Sequence, residues 1–318
     1  MSKQIGVLPA VVTTLAAIGF VASWSSGFLI AAIATADVAF TTLLVWRFVP
    51  VAVVLLAITV ASGVLRSVSP RDVRSQAVVG LFAQFGYCVF VYASIGVGIT
   101  TGTTALIDAV QPLVIATLVG PLLGLRVRGA QWIGLAVGAA GVLLVVQSHI
   151  GGSDAPPVAY LYPLLAMVCL VVGTFLDRRS GAELPVLLTL TVHVVVTAAA
   201  LVVLAVATGT LAPPASTSFW LQAALAAVLP TLVAYGLYWW MLRRVGITAL
   251  NALLFLVAPA TSVAGALLLD EPITVLTLAG FVLCGGGVAL VLVSEARAQP
   301  REGKPAGAAE REVVIAES

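Results

Sequence analysis

Three ionisable side chains, Arg47, Asp108 and His193, stand inside long apolar stretches of this sequence. A charge near the middle of a membrane costs about 3 kcal/mol or more, so each is a functional candidate by position alone. Arg47 and Asp108 lie about eight residues, or ~12 Å, from the same side of their stretches. Paired across a cavity, they would hold a zwitterionic solute; alternatively Asp108 would exchange a proton. A structural ion pair is the competing reading, and Arg47 is also within reach of the nearer interface. His193 has no acid or metal-ligand partner at helical spacing, so a proton relay and a satisfied interior histidine both stay open.

Asp108 belongs to a stripe. Thr101, Thr104, Asp108 and Gln111 share one helix face, and Thr248, Asn251, Phe255 and Ser262 repeat the pattern later in the chain. In lipid such a face turns toward protein or a wetted cavity. Cavity lining is expected for Asp108, Gln111 and Asn251, and interhelical hydrogen bonding for the hydroxyls. Pro112 and Pro259 each remove a helical hydrogen bond, leaving free carbonyls or a simple kink. Aromatic residues gather in two further stretches: Gln84, Tyr87 and Tyr92, then Tyr235, Tyr238, Trp239 and Trp240. Such walls suit amphipathic or cationic organic solutes. Trp239 and Trp240 are expected first as interfacial anchors.

The elements that position these groups follow from composition. Of 318 residues, 61% are hydrophobic and 9% charged, with a mean hydropathy of +1.16. A soluble domain carries about a quarter of its residues as charges, so lipid must cover most of this chain. Soluble enzymes and nucleic-acid binders are excluded on that ground. Cys88, Cys169 and Cys284 lie in apolar runs without pairing or metal-ligand spacing, and no metal site is expected.

Apolar runs of about 20 residues, enough to cross a bilayer as helices, fall near 7–30, 39–62, 75–95, 100–123, 129–148, 158–177, 185–207, 218–241, 246–269 and 273–294. Ala34-Thr35-Ala36 has the look of a cleavage site, but the run before it is too long for a signal peptide, so an uncleaved span is expected. Fourteen of the fifteen Lys and Arg fall on one side of this ten-span arrangement; Arg47 is the exception. The positive-inside rule then places both termini in the cytoplasm.

The chain also repeats itself. Residues 134–146 align with 280–292, an offset of 146, at which Gly27 meets Gly173 and Arg47 meets His193. At an offset of 147, Thr101 meets Thr248 and Pro112 meets Pro259. Each half therefore holds five spans, an odd number, so the second half enters the membrane inverted, a recurring plan of secondary transporters. The expected units are 1–148, an extracytoplasmic linker 149–157, 158–294 and a disordered cytoplasmic tail 295–318. Small residues at helical spacing (Gly19, Ser23 and Gly27; Gly134, Gly138 and Gly141; Gly280, Cys284 and Gly287) mark close helix contacts.

With these residues in view, the chain resembles the drug/metabolite transporter superfamily, in its ten-helix EamA-type form, over about residues 7–294. Trp24-Ser25-Ser26-Gly27-Phe28 is similar to the family's Trp-Gly-x-x-Phe opening, and Arg47-Phe48 to its second-span arginine. Leu269-Asp270-Glu271-Pro272 before the Gly-rich tenth span resembles its Gly-Glu loop, whereas Leu123-Gly124-Leu125-Arg126 in the first half lacks the glutamate. The resemblance implies an all-α polytopic fold and a secondary carrier, often an exporter, of small metabolites or drugs, without a cofactor.

From all of this the expected function is alternating-access transport in the plasma (inner) membrane, proton-coupled or exchange-driven, with a small-molecule substrate and no nucleic acid. A homodimer is a further candidate assembly. Trp24, Arg47, Gln84, Tyr87, Tyr92, Asp108, Gln111, Tyr235, Tyr238 and Asn251 are the candidate cavity residues, with Asp108 and His193 as candidate proton carriers. The alternatives are an intramembrane lipid-processing enzyme, for which paired acids or a zinc helix are missing, and a lipid-linked sugar flippase, for which Arg47 alone is thin support.

Overall fold

The computed structural model describes residues 4–64, 68–99, 101–109, 111, 114–115, 118, 129–147, 156–181, 184–269 and 275–298. Most of the 149–157 linker, the tail from 299 onward, Pro112 and the segment 270–274 lie outside them. Every described element is a helix. Six are long and apolar enough to cross a membrane: Val11–Thr35, Phe40–Ala61, Pro70–Gly96, Pro157–Ser180, Val186–Thr208 and Thr217–Arg244. Shorter apolar helices cover Ala252–Leu268 and Leu278–Val291. The fourth span is described as Thr101–Ala109 and the fifth as Gly129–Gln147. The chain is an all-α polytopic membrane protein.

Local chemistry explains the boundaries. The third span begins at Pro70, earlier than hydropathy places it, because the Ser69 hydroxyl accepts from Arg71 N (3.2 Å) and Pro70 occupies the first turn. Ser216 caps the eighth span in the same way through Phe219 N. The seventh span ends where Gly209 turns to φ +69°, letting Thr210 N reach back to Ala205 O at 2.8 Å.

The two halves superimpose in their irregularities. The third span switches to a π-helical register over Leu81–Gly86, and the eighth does so over Val228–Val233, 147 residues later. A π segment widens the turn by one residue and re-aims everything beyond it. In the third span it turns Tyr87 and Cys88 inward; in the eighth, Tyr235.

The contacts between halves show how the halves are related. A methyl group built at Gly134 would lie 2.8 Å from Gly287 O, and one at Gly141 would lie 2.7 Å from Gly280 O. Adding 146 to 134 and 141 gives 280 and 287, so each contact is the image of the other. Between them, the Cys284 thiol donates to Gly138 O at 3.6 Å, and these two residues are themselves 146 apart. The fifth and tenth spans thus cross antiparallel about a pseudo-twofold axis perpendicular to them. Gly27 against Pro230 and Gly173 against Ala83 form a second exchanged pair. Spans two and seven also run antiparallel, joined by Thr41–Thr210 (2.6 Å) and Thr59–Thr191 (2.8 Å). Two five-span repeats related by an axis across the helices are inverted repeats.

Candidate functional site

The pseudo-twofold axis passes through an interior cavity. Cys88 and Tyr235 occupy equivalent positions, 147 residues apart, and meet there at 3.5 Å. The cavity has about 30 Å³ of room for water and is lined by Trp24, Gly27, Phe28, Arg47, Tyr87, Cys88, Val91, Tyr92, Pro230 and Tyr235. That volume holds about one water molecule.

Trp24 is the hub. Its ring lies 5.3 Å from those of Phe20 and Tyr235, 5.5 Å from Tyr238 and 5.7 Å from Tyr87, all in tilted packing. Its indole N–H donates to Tyr87 Oη (3.1 Å), and Tyr87 Oη in turn donates to Asp108 Oδ2 (3.0 Å). This chain joins spans one, three and four. The other carboxylate oxygen, Oδ1, is buried and has no hydrogen-bond partner among the described residues. Tyr235 Oη donates to Ala83 O (3.1 Å), a carbonyl inside the π segment, and Tyr238 Oη meets Thr174 Oγ1 at 2.8 Å.

Arg47 enters from span two and is only 2% exposed. Nε donates to Thr231 Oγ1 (2.6 Å) and Nη1 to Tyr92 Oη (2.9 Å), while Tyr92 Oη donates onward to Gly27 O (3.3 Å). Thr231 is turned toward it because its hydroxyl also donates to Ala226 O, five residues back, a reach the π register provides. The guanidinium carbon lies 4.7 Å from the Phe48 ring centre and 5.4 Å from that of Tyr92. Arg47 and Asp108 do not meet: the first is held by hydroxyls and ring faces, the second by Tyr87.

His193 sits at the opposite end of the bundle from Arg47, its counterpart in the repeat. Its Nε2 lies 2.9 Å from Gln76 Oε1, and Gln76 Nε2 donates to Asp177 Oδ1 (2.7 Å). Because Asp177 takes the amide N–H, the Gln76 oxygen is left to accept, so His193 Nε2 carries the proton. Residues Gln76 and Asp177 escaped the sequence reading because they lie near helix ends, where polar residues are ordinary. Trp239 corrects the expectation of an interfacial anchor: it is fully buried and stacks edge-on against His193 at 4.9 Å. Trp240 lies under the Arg244 guanidinium at 5.3 Å.

Gln84 and Gln111 are fully buried, and among the described residues neither amide has a hydrogen-bond partner. Asn251 falls in the helix Ile247–Leu254, and its side chain is outside the described residues. Gly19 makes only ordinary contact with Leu237, and the Ser23 hydroxyl bonds back to Gly19 O within its own helix, so the close approach in span one is at Gly27. A larger groove of about 460 Å³ between spans one, eight, nine and ten is lined, among the described residues, by apolar side chains, Thr13 and Thr14.

Two inverted helical repeats around a buried polar cavity define a class of membrane protein. The family model of the EamA-like transporter family matches residues 12–147 and 157–293, and the chain belongs to that family. Among solved structures, one described as "Crystal structure of protein" aligns with a TM-score of 0.72 over 90% of this chain and 98% of its own, at 22% identity, a likeness of fold. No curated protein matches the chain. Members of this family are membrane transporters.

Proposed function

We propose that this chain is a secondary transporter that exports small organic solutes across the plasma (inner) membrane by alternating access, with both termini cytoplasmic. The observation that carries this reading is the position of the cavity: it lies on the pseudo-twofold axis, with walls from both repeats. A site so placed can be offered to either side by rocking one repeat against the other.

The bonds across the repeats suit such rocking. At one end Arg47 of the first repeat grips Thr231 of the second. At the other, Gln76 of the first repeat grips Asp177 and His193 of the second. Each is a handful of polar contacts, and opening one while keeping the other would admit a solute from one side only. A cavity of about 30 Å³ is too small for an organic solute, so one of these contacts must part before binding. Asp108 supplies the coupling in this reading. A proton arriving at its carboxyl alters the bond from Tyr87, and Tyr87 is tied to Trp24 in the cavity wall.

The test is flux from proteoliposomes loaded with a mixed pool of small metabolites, with and without an imposed pH gradient. Protein-dependent, gradient-accelerated efflux is expected, and Asp108→Asn should keep solute exchange while losing the acceleration. Absence of any protein-dependent flux, or chemical turnover of the lipid, would overturn the carrier reading.

A further inference from the structure

We propose that the transported solute is an organic acid: a flat apolar body bearing a negative charge that Arg47 receives, with no requirement for an amino group. This rests on the carrier reading and narrows it.

The argument starts from a charge without a counter-charge. Arginine stays protonated in proteins and offers five N–H donors. Among the described residues, Arg47 uses two of them, both on neutral hydroxyls, and its other neighbours are the ring faces of Phe48 and Tyr92. A buried cation compensated only by dipoles is costly inside a membrane, and an acid is its natural complement. Arg47 lines the cavity, so the three remaining donors belong to a group that borders the solute.

Asp108 is the obvious acid to neutralise it, and the structure sends Asp108 elsewhere. Its oxygen Oδ2 is held by Tyr87, and Asp108 is absent from the cavity lining. Among the described residues the cavity wall therefore carries one cation, three phenols and no anion. A zwitterion would find a full opposite charge for its carboxylate but only ring faces and phenol oxygens for its ammonium group. A lipophilic cation would gain from the rings of Trp24, Tyr87 and Tyr235 but would face Arg47 within the same small space. Charge repulsion at such range in a low-dielectric site exceeds a cation–π attraction. The tilted rings around Trp24 fit a planar body.

Four probes sharing one ring system separate these cases: indole-3-acetate, indole-3-acetamide, tryptophan and tryptamine. Binding to the purified full-length protein is measured by titration calorimetry, and exchange of the same compounds in proteoliposomes. The acid should bind at least about tenfold more tightly than the amide, which is the worth of one charge-assisted hydrogen bond. Tryptophan should bind more weakly than the acid, and tryptamine weakest. Arg47→Gln should bring the acid down to the level of the amide, and Arg47→Lys should keep the acid preferred. If Arg47→Gln does not fold, Thr231→Val and Tyr92→Phe, which remove the hydroxyls orienting the guanidinium, should weaken the acid and spare the amide.

Tryptamine or tryptophan binding as tightly as the acid would overturn the proposal, as would binding of none of the four. Either result leaves the carrier reading to the mixed-pool flux measurement, which uses none of these probes.

Discussion

Gly286 and Gly287 are neighbours in the tenth span, and the structure predicts opposite effects from the same substitution. A methyl group at Gly287 would lie 2.5 Å from both Gly134 O and Gly138 N, which is 0.9 Å short of the 3.4 Å at which ordinary contact begins. Both obstacles are backbone atoms of the fifth span, so no side chain can swing aside, and the helices must separate. Overpacking of this kind costs about 1–3 kcal/mol. At Gly286 nothing lies within 4 Å of the added methyl. There Gly→Ala removes only backbone freedom from the unfolded chain and favours the helix by up to about 1 kcal/mol. Gly287→Ala should therefore unfold more easily than Gly286→Ala by about 1–4 kcal/mol. Equilibrium unfolding in mixed micelles, followed by circular dichroism, reads the difference directly. A Gly287→Ala protein as stable as Gly286→Ala would refute the antiparallel crossing and the pseudo-twofold relation derived from it.

Two more outcomes follow from the hydrogen-bond chains. Tyr87→Phe removes the donor to Asp108 Oδ2 and the acceptor for Trp24 Nε1; it should cost about 1–3 kcal/mol in the same unfolding assay and abolish acceleration of efflux by a pH gradient. Gln76→Ala unties Asp177 and His193 at once, so Cys88 on the axis should react with a membrane-impermeant maleimide faster from the cytoplasmic side. Cys169 and Cys284 are replaced by serine for that measurement, and an unchanged labelling rate would show that Gln76 closes nothing.

Much of this architecture was legible in the sequence, and the reason is physical. Lipid leaves a helix little choice but to be apolar and about 20 residues long, so the spans could be read from hydropathy. The repeat was legible because glycines at a crossing cannot be exchanged for larger residues: Gly134, Gly141, Gly280 and Gly287 are the atoms of that contact. Arg47 and Asp108 stood out because charge in lipid is costly. Their partners did not. Matched depth suggested that the two would pair, but depth says nothing about rotation around a helix axis. The π segments re-aim the partners that each one takes instead, Tyr87 and Tyr92 in the third span and Thr231 in the eighth, and nothing in Leu81–Gly86 announces one. Thr231 and Gln76 were unremarkable for a related reason. A lone polar residue acquires meaning only when another span brings its partner within 3 Å, as Arg47 and Asp177 do.

The twinned halves have diverged at the positions that carry their buried polar groups. Arg47 corresponds to His193 at the other end of the bundle, Cys88 touches its counterpart Tyr235, and Asp108 corresponds to Phe255. Had the twins stayed identical, turning the molecule over would change nothing, and the inward- and outward-facing shapes would be equally populated. Unlike residues at twin positions lift that degeneracy, because swapping shapes trades a guanidinium's surroundings for an imidazole's. Under the alternating access proposed above, the resting orientation is set by a few mismatched pairs, and making a pair alike should move the balance toward one half.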